Sequence, residues 1–236
     1  MKNAFLITTI LMGGFVAHAQ IPDALKRLGG GHPGGDSGQT ASGLKEALEV
    51  GTRNTVSLTG KPDGFFRNEA IKILLPEKFH VIEKGLRLAG QGQLVDDFVL
   101  SMNRAAEKAA PAANSIFQDA IKQMTFADAR SIVAGGDTAA TNYFKEKTSE
   151  QLRVAFRSPV KSAMEEAGVT QRYQAMTGQL SSSLPFGHAP SFDLDEYVVT
   201  KTLDGLFYVL GQEEKKIRTN PAAQVTPLLR QVFGSR

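Results

Sequence analysis

The residues best suited to chemistry lie in two short stretches, a helix flank and a glycine turn followed by a helix start. Asn103 and Glu107 are four residues apart, so they share one flank of a helix and can line a groove. In the second stretch, exposed amides at Gly136 and at the helix start beyond it can hold an anion. We therefore predict that Asn103, Glu107, Gly136, Asp137 and Thr141 contribute to a small polar ligand-binding pocket.

The same residues also have a structural interpretation, to which we give more weight. In that interpretation Asp137 satisfies the amides at the start of a helix, Thr141 packs one turn later and Glu107 is solvated. An aspartate at the mouth of the pocket would also repel anions.

Motifs of catalytic and metal sites are incomplete. Glu77 and His80 form Glu-x-x-His, half of a di-iron carboxylate signature, and no second copy exists. Ser-x-x-Lys occurs at residues 42–45 and 158–161, about as often as chance predicts and without the companion motifs of penicillin-binding enzymes. Cysteine is absent, which removes thiolate zinc sites, cysteine nucleophiles and disulfides. No catalytic residue, metal site or cofactor is predicted.

Arg153, Arg157 and Lys161 are spaced four residues apart and would form a basic stripe on one continuous helix. We expect Ser158-Pro159 to restart the helix, because proline suits the first helical turn. The restart would rotate Lys161 away, so a solvated face is favoured over a lipid-binding or glycan-binding stripe.

Length and composition favour one globular domain, or one domain with a flexible arm. The chain has 236 residues, of which 42% are hydrophobic and 22% charged, and a formal net charge of +3. Basic and acidic residues alternate, without the run of Lys and Arg that neutralises a phosphate backbone. No nucleic-acid partner is expected.

Residues 1–19 have the three-part layout of a cleaved secretory signal peptide. Lys2 precedes an apolar run over residues 4–16, and Ala17-His18-Ala19 suits a signal peptidase. The run is shorter than the roughly 20 residues that a membrane-spanning helix needs. We predict cleavage after Ala19, a periplasmic or secreted location, and no membrane span in the mature chain, which retains 26 basic and 24 acidic residues.

Residues 20–41 are predicted to be a flexible Gly-rich arm, because residues 29–38 contain six glycines and one proline. From Ser42 onward apolar residues recur at helical spacing, with almost no alternating strand pattern. The predicted fold is all-α: residues 42–236 form a single domain, a compact bundle of about eight to ten helices. Its longest internal loop is expected at residues 178–192.

Helix boundaries follow from capping signals. Residues 125–128 and 148–151 resemble capping boxes, and Asp137 and Asp193 can each cap a helix. The acidic cluster at Asp193 is assigned to capping because it lacks the pattern of a calcium-binding loop. A final helix is expected from residue 221.

Several short segments carry a recognisable pattern, namely residues 102–109, 116–117, 120–121, 124–129, 135–144, 203–207, 213–214 and 217–218. Together they resemble the bacterial family called domain of unknown function 4197, over roughly residues 42–233. The resemblance implies an exported helical protein of bacterial origin. It implies no catalytic residue, because the family has no assigned activity.

The sequence favours an exported protein that binds a small envelope ligand or a protein partner and catalyses nothing. The alternative is a periplasmic hydrolase or lyase whose carboxylates, Glu107, Asp128 and Asp137, converge only in the fold. A second alternative, an envelope structural or assembly factor, requires an exposed apolar patch.

Overall fold

The computed structural model describes residues 33–166, 168–169, 171–175 and 192–224. The predicted signal peptide, most of the predicted loop at 178–192 and nearly all of the predicted final helix lie outside these residues. The chain divides into two units, residues 1–36 and 37–236, and the contacts below lie within the second.

Seven α-helices lie in the described residues, which contain no strand, so the predicted all-α fold is confirmed. They are α1 (Pro33–Gly60), α2 (His80–Leu88), α3 (Gly92–Ala109), α4 (Ala113–Gln123), α5 (Phe126–Ala134), α6 (Ala139–Glu166) and α7 (Leu194–Thr219). Short 3-10 helices cover Glu77–Phe79, Ala110–Ala112 and Pro221–Ala223. None of the described helices is both long and apolar enough to cross a bilayer.

Helix α1 begins inside the stretch assigned above to the flexible arm. Its first residue is Pro33, whose fixed φ suits a first helical turn. Farther along, α1 packs against α7: Asn54 Nδ2 donates to Glu213 Oε2 over 2.9 Å, and Gly51 lies against Ile217.

Helix α6 is the centre of the bundle and packs against α3, α4, α5 and α7. Its buried face repeats every fourth residue and includes Phe144, Leu152, Phe156 and Val160. The Phe117 ring of α4 meets Phe144 edge-on with 5.1 Å between ring centroids. A stripe of large apolar side chains on one long helix thus organises the core.

Two predicted helix starts are wrong, because α6 runs without interruption past both residues 148–151 and Pro159. Thr148 donates its hydroxyl to the Phe144 carbonyl one turn earlier, as a residue inside a helix does. Phe156 and Val160 are buried on either side of Pro159. Their packing keeps the helix continuous even though proline removes one backbone hydrogen bond.

Because α6 is continuous, Arg153, Arg157 and Lys161 do share one flank, contrary to the expected rotation of Lys161. Glu196 of α7 forms ion pairs with the first two, at 3.6 Å from Arg157 and closer still to Arg153. One carboxylate of the same chain therefore offsets part of the charge of this stripe.

Two other capping predictions are confirmed. The Thr125 hydroxyl accepts from the Asp128 amide over 3.1 Å, and the Asp128 carboxylate accepts from the Thr125 amide over 2.9 Å, a complete capping box at the start of α5. Asp193 caps α7 by accepting from the Glu196 amide over 2.9 Å.

A non-helical stretch between α1 and the first 3-10 helix, residues 61–76, is called the connector below. Ile71, Ile73 and Leu75 are buried, whereas Leu74 is exposed. The connector crosses α7 at Gly205, where a Cβ would lie 2.5 Å from the Phe65 ring and 3.1 Å from Ile71. The close approach of connector and helix therefore requires glycine at this position.

Gly205→Ala is expected to lower the free energy of unfolding by roughly 1–3 kcal/mol, because the buried Phe65 ring must move. The matched control is Gly85→Ala in α2, where a Cβ would meet nothing within 4 Å. Alanine there should stabilise by about 0.5–1 kcal/mol through helix propensity. Urea denaturation of both variants measures the difference, and equal shifts in the same direction would contradict the close approach.

Candidate functional site

Asn103 lies on α3 with its side chain fully buried and bonded to the connector. Its Oδ1 accepts from the Ile73 amide, and its Nδ2 donates to the carbonyls of Ile73 and Val99, each over 2.8 Å. The side-chain amide thus pairs with Ile73 much as a neighbouring strand would. The hydrogen-bonding capacity of the Asn103 side chain is therefore used to fix the backbone of the connector and of α3.

Glu107, one turn further along α3, holds the other end of the connector. Its Oε1 accepts from the amides of Phe65 and Phe66 over 3.0 and 3.1 Å, and its Oε2 accepts from Arg104 over 2.6 Å. The expectation that Glu107 is solvated is wrong, since the residue is 3% exposed. A carboxylate with four lone-pair sites is well matched to two amides and a guanidinium.

Arg104 completes this arrangement by reaching Asp63 at the start of the connector. Its second terminal nitrogen donates to Asp63 Oδ1 over 2.6 Å. Asp63 has a φ of 65°, a left-handed conformation that aspartate tolerates better than most residues. The ion pair therefore stabilises a turn with an unfavourable backbone geometry.

The start of α6 is capped by Glu214 of α7, and the prediction that Asp137 caps it is wrong. The amides of Ala140 and Thr141 and the Thr141 hydroxyl all donate to the Glu214 carboxylate, each over 2.8 Å. Asp137 is exposed, with its carboxylate 4.0 Å from Lys215. The buried Glu214 carboxylate of α7 therefore caps α6, in place of the neighbouring Asp137.

Glu214 also joins three helices. Arg218, one turn further along α7, donates to Glu214 Oε1 over 2.9 and 3.0 Å and to the Ile132 carbonyl of α5 over 2.8 Å. The end of α5 and the start of α6 are thereby held to α7. Sequence reasoning missed this role of Glu214, although its four-residue spacing from Arg218 is a visible signal of an ion pair.

The structure divides the five predicted pocket residues into two groups with different partners. Asn103 and Glu107 bind the connector. Thr141, which lies shortly after Gly136 and Asp137 in the sequence, binds Glu214 instead. The helix-start amides proposed to hold an anion already bind a carboxylate of the chain. A ligand pocket formed by all five residues stays a prediction.

A groove with a volume of about 860 Å³ lies between α4, the start of α5 and α6. We call it the α4–α6 groove. Its walls mix charged, polar and apolar side chains, and its lining residues are Ile116, Asp119, Ala120, Gln123, Thr125, Asp128, Tyr143, Lys147, Glu150, Gln151, Val154 and Ala155.

Two titratable groups of the α4–α6 groove, Asp128 and Tyr143, are poorly suited to proton transfer. Hydrogen bonds from the Thr125 hydroxyl and amide lower the pKa of Asp128, which keeps this carboxylate ionised. Burial raises the pKa of Tyr143, which keeps the phenol protonated. A general acid needs a raised carboxyl pKa and a general base a pKa near neutrality, so both groups are shifted in the opposite sense.

Two smaller cavities, of about 420 and 350 Å³, flank Leu74 of the connector. His80 lines the first and follows the 3-10 helix that begins at Glu77. Across the described residues, no group of three or more His, Asp or Glu side chains is placed to hold a metal ion.

These contacts define an all-helical protein in which buried amides and carboxylates fix the backbone and an open groove lies along the central helix. Residues 35–234 match the model of the family described as "Protein of unknown function (DUF4197)". The chain belongs to this family, which confirms the resemblance found in the sequence. No curated protein and no solved structure matches it.

Asn103→Ala is expected to lower the free energy of unfolding by about 3 kcal/mol, because the buried Ile73 amide and carbonyl lose their partner. Asn142→Ala is the matched control: the same substitution at an exposed position of α6 should change stability by less than about 0.5 kcal/mol. Chemical denaturation measures both, and a small effect at Asn103 would show that the connector does not depend on it.

Glu214→Ala is expected to lower the free energy of unfolding by about 3–5 kcal/mol, because it removes one partner of a buried ion pair and also the cap of α6. Asp137→Ala should change stability by less than about 0.5 kcal/mol, since Asp137 is exposed. Thermal and urea unfolding of the two variants compare the carboxylates directly. A larger loss at Asp137 would restore it as the cap.

Proposed function

We propose that this protein is an exported binding protein whose α4–α6 groove receives a ligand or a protein partner without converting it chemically. The observation that carries the proposal is the groove itself. Its volume of about 860 Å³ lies within the range of roughly 300–1,000 Å³ typical of ligand sites. Apolar side chains and convergent polar groups share its walls, as binding sites require.

Binding is favoured over catalysis because the three carboxylates of the hydrolase or lyase alternative either make structural contacts within the chain or lie exposed outside the groove. Glu107 is buried and accepts hydrogen bonds from two amides and Arg104. Asp128 caps α5, and Asp137 lies exposed near Lys215. Of these three carboxylates, Asp128 alone lines the α4–α6 groove.

An envelope structural or assembly factor is the second candidate. Leu74 and Tyr208 are both exposed and line the same 350 Å³ cavity beside the connector, which supports a small contact surface. The other large exposed apolar residues are spread over four helices, and single exposures of this kind are normal. The α4–α6 groove is the larger feature.

Export is part of the proposal and rests on residues 1–19, whose charge, apolar run and small-residue site suit a signal peptidase. The location we propose is the periplasm. Edman sequencing of the mature protein tests this step, and an N-terminus other than Gln20 would contradict the cleavage site.

Val154→Trp is expected to abolish most ligand retention, because the indole would fill the groove from its rim, where Val154 is 66% exposed. Native mass spectrometry of protein purified from the periplasm measures the retained molecules. Val81→Trp in α2 is the matched control, since Val81 is 79% exposed and outside the groove. Equal retention by the two variants, or no retained molecule in the unmodified protein, would contradict binding in the groove.

A further inference from the structure

The charge of the α4–α6 groove points to the kind of molecule that it binds. Asp119, Asp128 and Glu150 line its walls, against Lys147 as the single cationic lining residue. Lys147 pairs with Glu146 over 2.9 Å, and Lys122 pairs with Asp119 over 3.1 Å. With these two neighbours included, four carboxylates face two lysines, so the field in the groove is negative.

The hydroxyl groups of the groove add acceptors, because their hydrogens are already committed. Thr125 donates its hydroxyl hydrogen to Asp128 over 2.6 Å. Tyr143 donates to the Ala120 carbonyl over 3.3 Å. The Thr125 oxygen also accepts from the Asp128 amide. Any further hydrogen bond that these two hydroxyl oxygens make is one that they accept, so they favour the same donor-rich occupant as the carboxylates.

Pro159 changes the main-chain hydrogen bonding of one residue that lines the groove, Ala155. Since proline has no N–H, the carbonyl of Ala155 cannot receive the hydrogen bond that continues an α-helix. Ala155 lines the groove next to Val154.

We infer that the α4–α6 groove binds a basic amphipathic segment of a partner protein, with lysine or arginine side chains on the acidic wall and apolar side chains against Ile116, Val154 and Ala155. This inference rests on the proposed function. A small amine matches the charge but leaves the apolar wall uncovered, whereas an amphipathic helix laid in a helical groove satisfies both.

The probe is a synthetic amphipathic peptide of about 18 residues, roughly five helical turns, with leucine on one face and lysine on the other. Fluorescence anisotropy with the full mature protein measures its affinity. A second peptide has glutamate in place of every lysine, and spermidine is the small-cation competitor. We expect the lysine peptide to bind, more weakly as salt is raised, and the glutamate peptide not to bind.

Reversing two groove charges with Asp119→Lys and Glu150→Lys is expected to weaken peptide binding roughly 10-fold, since two attractions become repulsions. The control pair is Glu69→Lys with Glu166→Lys, two exposed positions that do not line the groove and that change the net charge equally. Affinity of the control should stay within about twofold of the unmodified protein.

Several results would overturn the inference. Equal weakening by both double variants would show unspecific attraction, and binding of the glutamate peptide would remove the preference for cations. Tight binding of spermidine without the lysine peptide would make the occupant a small cation. If Val154→Trp abolishes ligand retention while the charge reversals change nothing, the proposed function stands and this inference fails; if none of them has an effect, both fail.

Discussion

The fold depends on hydrogen bonds to backbone that enters the core without forming a helix. The connector carries Phe65, Ile71 and Ile73 into the interior, and their peptide groups must be paired there, because a buried unpaired group costs about 1–3 kcal/mol. Because no strand lies beside the connector, side chains of α3 form these hydrogen bonds. Asn103 binds the amide and the carbonyl of Ile73. Glu107 binds the amides of Phe65 and Phe66. Packing of the connector on Gly205 then joins α3 to α7.

The same physical solution appears at the start of α6. The first amides of a helix have no partner within it, and a negative charge placed there is also stabilised by the helix dipole. Glu214 supplies that charge from α7, and Arg218 holds Glu214 while binding the last turn of α5. Two buried carboxylates, Glu107 and Glu214, therefore bind backbone amides that have no helical partner, which leaves their oxygens little capacity for a substrate.

The amino-acid sequence predicted the helices well because apolar spacing and capping motifs are local, as the box at residues 125–128 illustrates. Local patterns do not predict long-range pairing. The connector partners of Asn103 and Glu107 are 30 to 42 residues away. Asp137 was chosen as the cap because it is adjacent to α6, whereas Glu214 is 73 or more residues distant. The predicted helix restart at Pro159 was wrong for a related reason. The packing of Phe156 and Val160 outweighs the one hydrogen bond that proline removes.

The contrast between the two kinds of carboxylate explains why the α4–α6 groove is the better candidate for binding. Glu107 and Glu214 are buried, so their charges are acceptable only because several donors within the chain surround them. Glu150 is exposed and needs no such partner, so its charge is available to a molecule that enters from solvent. A binding site built from exposed charges and an apolar wall can therefore vary without weakening the core, because the residues that hold the connector and cap α6 belong to other surfaces.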